Sequence, residues 1–321
     1  MSGFTVNGLV DFVKENNDNI LTNAILGAET LSKVGISIQA GIKNSEKLVL
    51  FENTAPIQAG GDCAFNASGS STFTNVTLTV TELKWNDTFC PEDLQKKYLG
   101  QAMPAGSNYD SLPFEELIIG QVTKNIARNL DVTIWQGDTT NVGTSIQALK
   151  RFDGLLKKID AGSSVSATQQ SSITAGNIIA IMDDIYVKIP EELNNNPERP
   201  MVAMMGWANF KLLVIAAKTL NYFNFDPAQA YATGEMVMPG TGLKVMALNA
   251  LNNVTGTAAA MKNRIICTYP KNLYYGTDLQ NEYEDARLWY SQDDQNIKGT
   301  IKWKSGVQIA YTNYVVEYTN S

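Results

Sequence analysis

The sequence predicts an α+β protein, in which strands dominate the first third and helices alternate with strands in the second half. Three observations predict this class. Residues 72–85 alternate between apolar and polar side chains, as a strand does. Residues 112–136 repeat apolar side chains every three or four positions, as an amphipathic helix does. Beyond residue 171, helical patterns and short apolar runs follow one another.

The composition is that of a globular chain. Hydrophobic residues make up 44% of the 321 positions and charged residues 18%, which suits one large or two ordinary domains. No apolar run approaches the roughly 18 residues of a spanning helix, so we expect no membrane segment. The N-terminus lacks a positively charged region followed by an apolar segment, so we expect no signal peptide. The net charge is −7 without a basic block, which argues against a surface that grips duplex nucleic acid.

The chain contains no histidine. A Ser-His-Asp triad, a Cys-His pair and most zinc sites are therefore excluded. Carboxylate, lysine and magnesium chemistry remain open, and a glycosidase with paired carboxylates is one remote alternative. Cys63, Cys90 and Cys267 lie far apart without metal-ligand spacing, and three cysteines do not make a disulfide framework. We predict no catalytic, cofactor or metal site.

The first 90 residues predict an arm followed by strands. Residues 1–30 are polar and only mildly amphipathic, so we expect an extended arm with a short helix at most. Residues 47–52 form a short apolar run, and residues 72–85 alternate with β-branched side chains. We interpret the two runs as a long hairpin. Either it projects and a neighbouring subunit covers its apolar face, or it packs as an ordinary sheet on its own domain; the pattern is compatible with both.

The most regular helical pattern covers residues 112–136. Ser111 suits the N-cap, and Glu115 and Glu116 lie in the first turns. At 1.5 Å per residue the helix is roughly 35 Å long. Gly137 is expected to end it. The predicted core stripe consists of Leu117, Ile118, Ile119, Val122, Ile126, Leu130, Ile134 and Trp135.

The second half predicts an α/β unit after a Ser/Thr/Gln-rich linker at 163–172. We expect helices at 173–187 and 207–219 around a buried strand at 201–206. Short strands are expected at about 243–248, 263–269 and 285–291. The tail at 297–318 alternates around Ser305-Gly306 and is either a hairpin or one long bent strand.

Two segments resemble a known family. The long helix runs into Trp135-Gln136-Gly137-Asp138, and Phe152-Asp153-Gly154-Leu155-Leu156 follows after a short loop. Pro200–Leu213 is similar to the strand-to-helix step of the same family. Together with the element order, these segments resemble the Hong Kong 97-type capsid fold. The resemblance implies an N-terminal arm (1–30), an extended-loop β-hairpin region (31–90), a peripheral domain (91–170 and 292–321) with a spine helix (112–136), and an axial α/β domain (171–291).

The resemblance also implies a function. Such a chain is expected to be the major capsid protein of a tailed bacteriophage, not an enzyme, and to form pentamers and hexamers of an icosahedral shell. The shell would enclose double-stranded DNA without sequence-specific binding, a role compatible with the acidic charge. It would be part of the virion and assemble in the cytoplasm of a bacterial host. Because only about 30 residues precede the first strand, scaffolding is expected to be a separate protein, beside portal and decoration proteins.

Two alternatives remain. An encapsulin-like nanocompartment shares the fold but encloses an enzyme cargo, and a surface β-rich binding protein would need no shell. For the shell, we expect intersubunit contacts from aromatic and apolar residues on or near the hairpin, since such residues anchor many interfaces. The candidates are Phe65, Phe73, Val76, Leu78, Val80 and Trp85.

Overall fold

A computed structural model provides the structure of the chain. It describes residues 20, 27–54, 56–57, 68–90, 114–141, 147–168, 172–194, 196–220, 233–254, 257–258, 261–278 and 285–319.

The helices follow the apolar periodicity of the sequence. In chain order they are α1 (Phe114–Gln136), α2 (Leu155–Asp160), α3 (Ile178–Val187) and α4 (Trp207–Thr219). Helix α1 confirms the prediction for 112–136, and Ile119, Ile126, Leu130, Ile134 and Trp135 of its stripe are buried. Helix α4 spans the predicted 207–219.

Helix α3 begins five residues later than the predicted 173. The Asn177 side chain accepts the Thr174 N–H (2.7 Å) and donates to the Ser172 carbonyl (2.8 Å). These bonds hold a turn in front of the helix, an arrangement that competes with helical hydrogen bonding. The sequence Cys90-Pro91-Glu92-Asp93, with proline early and acidic residues in the first turn, predicts a further helix start, and it lies largely outside the described residues.

The strands share three sheets. They are β1 (Ser37–Gln39), β2 (Ser45–Thr54), β3 (Ser70–Thr79), β4 (Thr81–Phe89), β5 (Val165–Ser166), β6 (Val202–Gly206), β7 (Glu235–Val237), β8 (Lys244–Leu248), β9 (Ile265–Thr268), β10 (Leu273–Thr277), β11 (Asp285–Ser291), β12 (Asn296–Ile309) and β13 (Val316–Tyr318).

The first sheet packs against helix α1. Strand β12 is its centre and pairs antiparallel with β4, β10 and β11, while β1 pairs parallel with β10. Strand β12 passes through Ser305-Gly306 without a turn, so the tail has no hairpin there. It is not one strand to residue 318 either, because β12 ends at Ile309 and β13 belongs to the second sheet. Apolar side chains of this sheet, among them Leu83, Ile301 and Val307, share a buried cluster with Leu130 and Ile134 of α1.

The second sheet has the strand order β5-β13-β9-β6-β8-β7 and is covered on both faces. Along β6 every residue is buried, as predicted for a central strand. Met204 faces the cluster shared with α1, and its neighbours Ala203 and Met205 face helices α3 and α4. The sheet therefore joins two cores into one body.

The third sheet consists of β2 and β3 alone. The predicted division into domains stays a prediction, and the strand pairing crosses its limits at two places. Strands β10 and β11 lie within 171–291 but pair with β12, and β13 lies within 292–321 but pairs with β9. Among the residues that the structure describes, we find no helix with the length and apolar character that a bilayer span requires.

Candidate assembly surface

The hairpin of β2 and β3 exposes most of its residues. The two strands pair antiparallel at ten positions, from Ser45↔Thr79 to Thr54↔Ser70. At about 3.3 Å per residue it is roughly 33 Å long. The turn-rich sequence at 55–69 connects the strands. A two-stranded hairpin is marginally stable in water, so it needs support from elsewhere.

The base of the hairpin has that support within the chain. Leu48, Leu78 and Val80 form a small buried cluster with Ile42. The Val80 N–H donates to the Asn44 carbonyl at 2.9 Å, and the Ile42 N–H donates to the Thr277 carbonyl at 3.2 Å. These contacts tie the base to the first sheet.

The distal part of the hairpin lacks such support. Residues directly opposite each other in a sheet share a face, so Phe51 and Phe73 form one pair and Val49 lies beside them on the same face. Their exposed fractions are 53%, 67% and 62%, respectively. The two phenyl rings contact each other, with centroids 4.9 Å apart. We call Val49, Phe51 and Phe73 the exposed hairpin face.

The structure separates the predicted contact residues. Phe73 lies on the exposed hairpin face, while Val76 is half-buried on the opposite face. Leu78 and Val80 are buried at the base, so their side chains are not available to a neighbour. Trp85 is half-buried in β4, with its ring 6.2 Å from that of Phe89. Phe65 lies outside the described residues.

Val49 and Phe51 are contact candidates that the sequence pattern does not identify. The apolar run 47–52 predicts a strand, but it carries no information on the register with the second strand. The alternation of Val49 and Phe51 with Leu48 and Leu50 was the available signal. Only the pairing with β3 shows that the former two share the face of Phe73.

A cleft of about 550 Å³ lies beside β4. It is formed by β4, the middle of α1 and the helical turn Gln147–Lys150. We call it the Trp cleft, because Trp85 and Trp303 line it. Its other lining residues are Glu82, Leu83, Lys84, Ile126, Asn129, Leu130, Thr133, Gln147, Ala148, Arg151 and Phe152.

The predicted glycine junction at the end of α1 is a close backbone crossing. The Gly154 N–H donates to the Gly137 carbonyl at 2.8 Å, and the Asp138 N–H donates to the Leu149 carbonyl at 2.7 Å. A Cβ on Gly154 would lie 2.6–2.8 Å from three backbone atoms, including the Trp135 carbonyl oxygen. Both glycines are therefore required by the packing of two chain segments.

Two ion pairs, both made by Lys157, lie beside the junction. Lys157 Nζ lies 2.6 Å from Asp138 Oδ1 and 2.9 Å from Asp153 Oδ1. Burial opposes ionisation of the two carboxyl groups, but hydrogen bonds from Lys157 and nearby threonines outweigh it and lower both pKa values below the ordinary range. Burial opposes the charge of Lys157, but its hydrogen bonds and ion pairs with Asp138 and Asp153 outweigh it and raise its pKa. All three groups are thus ionised at neutral pH.

A buried carboxyl group joins α1 to the segment before β1. Asp131 is 3% exposed and accepts the Thr30 N–H at 2.9 Å. The Trp135 indole N–H donates to Thr30 Oγ1 at 2.8 Å. Desolvation raises the pKa of Asp131 to about 6, although the Thr30 hydrogen bonds oppose it. We call this arrangement the Thr30 clamp.

Other polar groups give no sign of chemistry. The described residues contain no cluster of three acidic, cysteine or histidine side chains that would hold a metal ion. Cys267 is buried, and burial raises its pKa to about 12, so its thiol is not reactive. Arg264 is buried with Glu317, and its guanidinium also lies 2.7 Å from Asp160. This ion pair joins β13 to the end of α2.

Comparisons with known proteins concern the fold. No family model matches the sequence, and no curated protein matches it. A chain of the satellite phage P4 procapsid, whose structure includes the size determination (Sid) protein, is similar over 96% of this chain and 90% of its own, with a TM-score of 0.63 and 10% identity.

Two further structures are similar. The capsid of the empty GTA particle matches with a TM-score of 0.57 and 12% identity, over 90% of this chain and 89% of the other. The capsid of Myoviridae phage XM1 matches with a TM-score of 0.56 and 12% identity, over 91% and 92%. The resemblance found in the sequence is thereby confirmed at the level of the fold. The chain has the fold seen in these phage capsids.

Proposed function

We propose that the chain is a structural shell subunit: a major capsid protein that forms pentamers and hexamers of an icosahedral shell around double-stranded DNA. The observation that carries the proposal is the fold match along nearly the whole chain, which reaches 96% for the procapsid structure. A match of this extent leaves only a small part of the chain without a counterpart in the other structure. Assembly, not catalysis, is the role proposed for it.

The exposed hairpin face supports this proposal. Three apolar side chains lie together on a two-stranded element and are more than half exposed, so none of them enters a core formed by the described residues. Contiguous exposed apolar surface is typical of a binding surface. In a ring of identical subunits, each copy contacts one neighbour through one surface and the other neighbour through a different surface, and closure of the ring fixes the number of copies. The hairpin would be the first of these two surfaces.

The proposal includes partners that the chain itself does not supply. Separate scaffolding, portal and decoration proteins would act with it, and assembly would take place in the cytoplasm of a bacterial host before the shell becomes part of the virion. The charge of −7 agrees with a wall that does not hold DNA tightly. Polyanionic DNA can then move along the inner surface.

The direct test is to express the chain and measure particle size by light scattering and negative-stain electron microscopy. Closed shells, or free rings of five and six copies, are the expected result. Shells that contain nucleic acid favour the capsid, and shells that copurify with an enzyme favour the nanocompartment. A chain that stays monomeric at every protein and salt concentration would count against both.

A shortened hairpin tests the contact element. Val49 and Asn75 are direct partners, so residues 50–74 can be replaced by an Asn-Gly turn while Leu48, Leu78 and Val80 stay in place. We expect a folded, soluble chain that forms no shells. Val187→Ser, which removes an exposed apolar side chain on α3, is the matched control and should assemble normally.

A further inference from the structure

A second cavity, of about 910 Å³, lies along α1 and shares no lining residue with the Trp cleft. Helix α1 contributes most of one wall, the segment 249–254 contributes another, and Gly27 and Glu29 line it from the segment before β1. We call this cavity the α1 groove. Its volume lies in the range of ligand sites, and the shell contacts proposed above do not use it.

Two exposed cations of α1 line the groove. Lys124 and Arg128 are four positions apart, so they are neighbours on the same side of the helix. Both residues are exposed, and neither makes an ion pair or a hydrogen bond with a described residue. Their charges are therefore available to a ligand that carries negative charge.

The two carboxyl groups of the lining are already bound within the chain. Glu29 Oε1 pairs with Lys33 at 2.5 Å, and Glu29 Oε2 accepts the backbone and side-chain N–H groups of Asn249 at 3.0 and 2.8 Å. Asp131 is 3% exposed and accepts the Thr30 N–H. Because the carboxyl groups are largely covered and the cations are exposed, the accessible charge of the groove is positive.

The apolar part of the lining consists of small side chains. Its members are Gly27, Gly120, Ala127, Val132, Ala250 and Val254. Among the described lining residues, none is aromatic or as large as leucine. Protein partners commonly bind through large apolar or aromatic side chains that fill a pocket of matching chemistry. The groove therefore suits a compact charged group better than the anchor residue of a protein partner.

The polar groups of the groove match a phosphodiester. Phosphate oxygens of nucleic acids are bound by arginine and lysine together with polar side chains such as asparagine. Asn249, Asn252 and Asn253 line the groove. Asn252 Oδ1 accepts the Trp207 N–H at 2.7 Å, and Asn253 Nδ2 donates to Asn263 Oδ1, also at 2.7 Å. Each of the three side-chain amides uses one of its two N–H donors within the chain, so the second can serve a ligand.

We propose that the α1 groove binds the phosphodiester backbone of the DNA that the shell encloses. The inference rests on the proposed function and adds to it that α1 lies at the inner wall of the shell. Two cations give one copy a weak hold, because the counterion release that favours binding grows with the number of phosphates contacted. Such contacts carry no sequence information, and they add up over the copies of a shell. A weak hold also agrees with the net charge of −7.

Photochemical crosslinking tests the site on the unassembled chain. A photoreactive azide is attached to Gln121→Cys in a chain with Cys63→Ser and Cys90→Ser, in which the remaining cysteine is buried. Position 121 is exposed and lies one helical turn before Lys124. Illumination with a short labelled DNA duplex at low salt should give a protein–DNA adduct. Adding Lys124→Gln and Arg128→Gln should lower the yield of this adduct by about tenfold, because both phosphate contacts are lost.

Lys211→Gln combined with Lys218→Gln is the matched control. Both lysines are exposed on α4, so this pair removes the same charge at another place and should leave the yield unchanged. The logarithm of the yield should fall with the logarithm of the salt concentration with a slope of about −1.8 for two contacts, and with a slope near zero in the variant without Lys124 and Arg128. All four side chains are exposed, so the unfolding midpoint in urea should stay that of the parent.

Assembled shells give a second readout. The variant with Lys124→Gln and Arg128→Gln should form shells of normal size, because neither residue belongs to the proposed shell contacts. These shells should contain less nucleic acid than those of the parent, measured by the ratio of nucleic-acid to protein absorbance in the ultraviolet. In intact parent shells the azide at position 121 should react with enclosed DNA, and nuclease added outside should not reduce the adduct.

The outcomes separate this inference from the proposed function. Shells whose DNA does not react with position 121, or an equal loss of adduct in the two double variants, would overturn the phosphate site and leave the shell function standing. Polyglutamate that suppresses the adduct as well as unlabelled duplex does would assign the groove to an acidic protein segment, which also overturns the proposal. A chain that gives the salt-dependent adduct but never forms shells would overturn the proposed function and leave the phosphate site standing.

Discussion

The hairpin and the glycine junction differ in the contacts that stabilise them. At the junction, two chain segments cross with backbone atoms in contact, and Leu155 and Leu156 beside them are fully buried. Along the hairpin beyond Leu48, β2 and β3 pair with each other and with no other described strand, and the side chains of Val49, Phe51 and Phe73 are exposed. The N–H groups of Gly154 and Asp138 at the junction both find carbonyl acceptors within the chain, whereas the hairpin leaves apolar side chains exposed.

The difference indicates which substitutions act on folding and which act on assembly. Where the chain's own contacts bury a position, a substitution changes the free energy of unfolding. Where apolar side chains stay exposed in the folded chain, the chain tolerates the substitution, and the contact with another copy is lost.

The junction should tolerate no side chain at Gly154. A Cβ there would lie within 2.8 Å of the Trp135 and Thr133 carbonyl oxygens and the Gly137 nitrogen. Backbone atoms of two packed segments cannot move aside cheaply, so we expect Gly154→Ala to lower the free energy of unfolding by about 4 kcal/mol. Urea denaturation followed by circular dichroism measures the loss.

Gly120→Ala is the matched control for this variant. Gly120 lies inside α1, and a Cβ on it would meet nothing within 4 Å. Alanine is the better helix former, so we expect a gain of roughly 0.5–1 kcal/mol. If both variants lost the same stability, the close crossing would not be the cause.

Two positions of β3, one at the base and one in the distal part, should separate effects on folding from effects on assembly. Leu78 is fully buried at the base, so Leu78→Ala should cost about 3 kcal/mol of unfolding free energy. Phe73 is mostly exposed, and Phe73→Ala should stay within about 0.5 kcal/mol. In the assembly assay the soluble Phe73→Ala chain should show the larger defect of the two variants, because it folds but forms no shells.

An equal loss of unfolding free energy in Leu78→Ala and Phe73→Ala would contradict the distinction between the buried base and the exposed distal part of the hairpin. It would mean that Phe73 is covered by its own chain in solution. Normal shells from Phe73→Ala would instead show that the exposed hairpin face does not contribute to assembly.

The local elements of this fold could be predicted from the sequence, because their signals are local. Helix α1 was placed to within two residues, since Ile126, Leu130 and Ile134 repeat at the helical spacing. Helix α4 and the buried strand β6 followed in the same way. Strand β10 was missed, because its five residues follow the Pro270–Asn272 turn directly and carry no alternation of polarity.

The candidate site could be predicted only in part. Alternation places Val76, Leu78 and Val80 on one face, but it does not say whether the chain itself covers that face. The structure buries Leu78 and Val80 because Ile42, distant from both in sequence, packs against them. The pairing of Phe51 with Phe73 depends on the strand register, which no local pattern carries.

The Thr30 clamp gives the stability a dependence on pH. Burial raises the pKa of Asp131 to about 6 in the folded chain, above the ordinary value of 3.8 for an aspartate. A raised carboxyl pKa favours the folded state at low pH, and this contribution is lost as the pH rises through about 6. A shift of about two units corresponds to about 3 kcal/mol in total, of which roughly 1 kcal/mol falls between pH 5 and 7.

Asp131→Asn tests this assignment. The amide oxygen keeps the acceptor for the Thr30 N–H, but it does not titrate. The parent chain should unfold at higher urea at pH 5 than at pH 7, and the variant should show no such difference. The absence of histidine leaves few other groups that titrate in this window. A parent chain that is equally stable at both pH values would show that Asp131 is not desolvated.

The smallest effect is expected at the ion pairs of the junction. Lys157 binds Asp138 and Asp153 at its partly exposed surface, and such pairs contribute little each. Lys157→Met should therefore cost about 1 kcal/mol of unfolding free energy at low salt, because it also leaves two carboxylates unpaired near each other. The cost should shrink in 1 M salt, since screening weakens both the lost attraction and the new repulsion.

Lys158→Met is the matched control, because Lys158 makes no ion pair with any described residue and should show a change near zero. The comparison matters for the junction as a whole. If Lys157→Met cost as much as Gly154→Ala, electrostatics would hold the crossing together; if it costs far less, the crossing depends on the absence of side chains at Gly137 and Gly154. The distances of 2.6–2.8 Å from a Cβ at Gly154 to backbone atoms favour the second result.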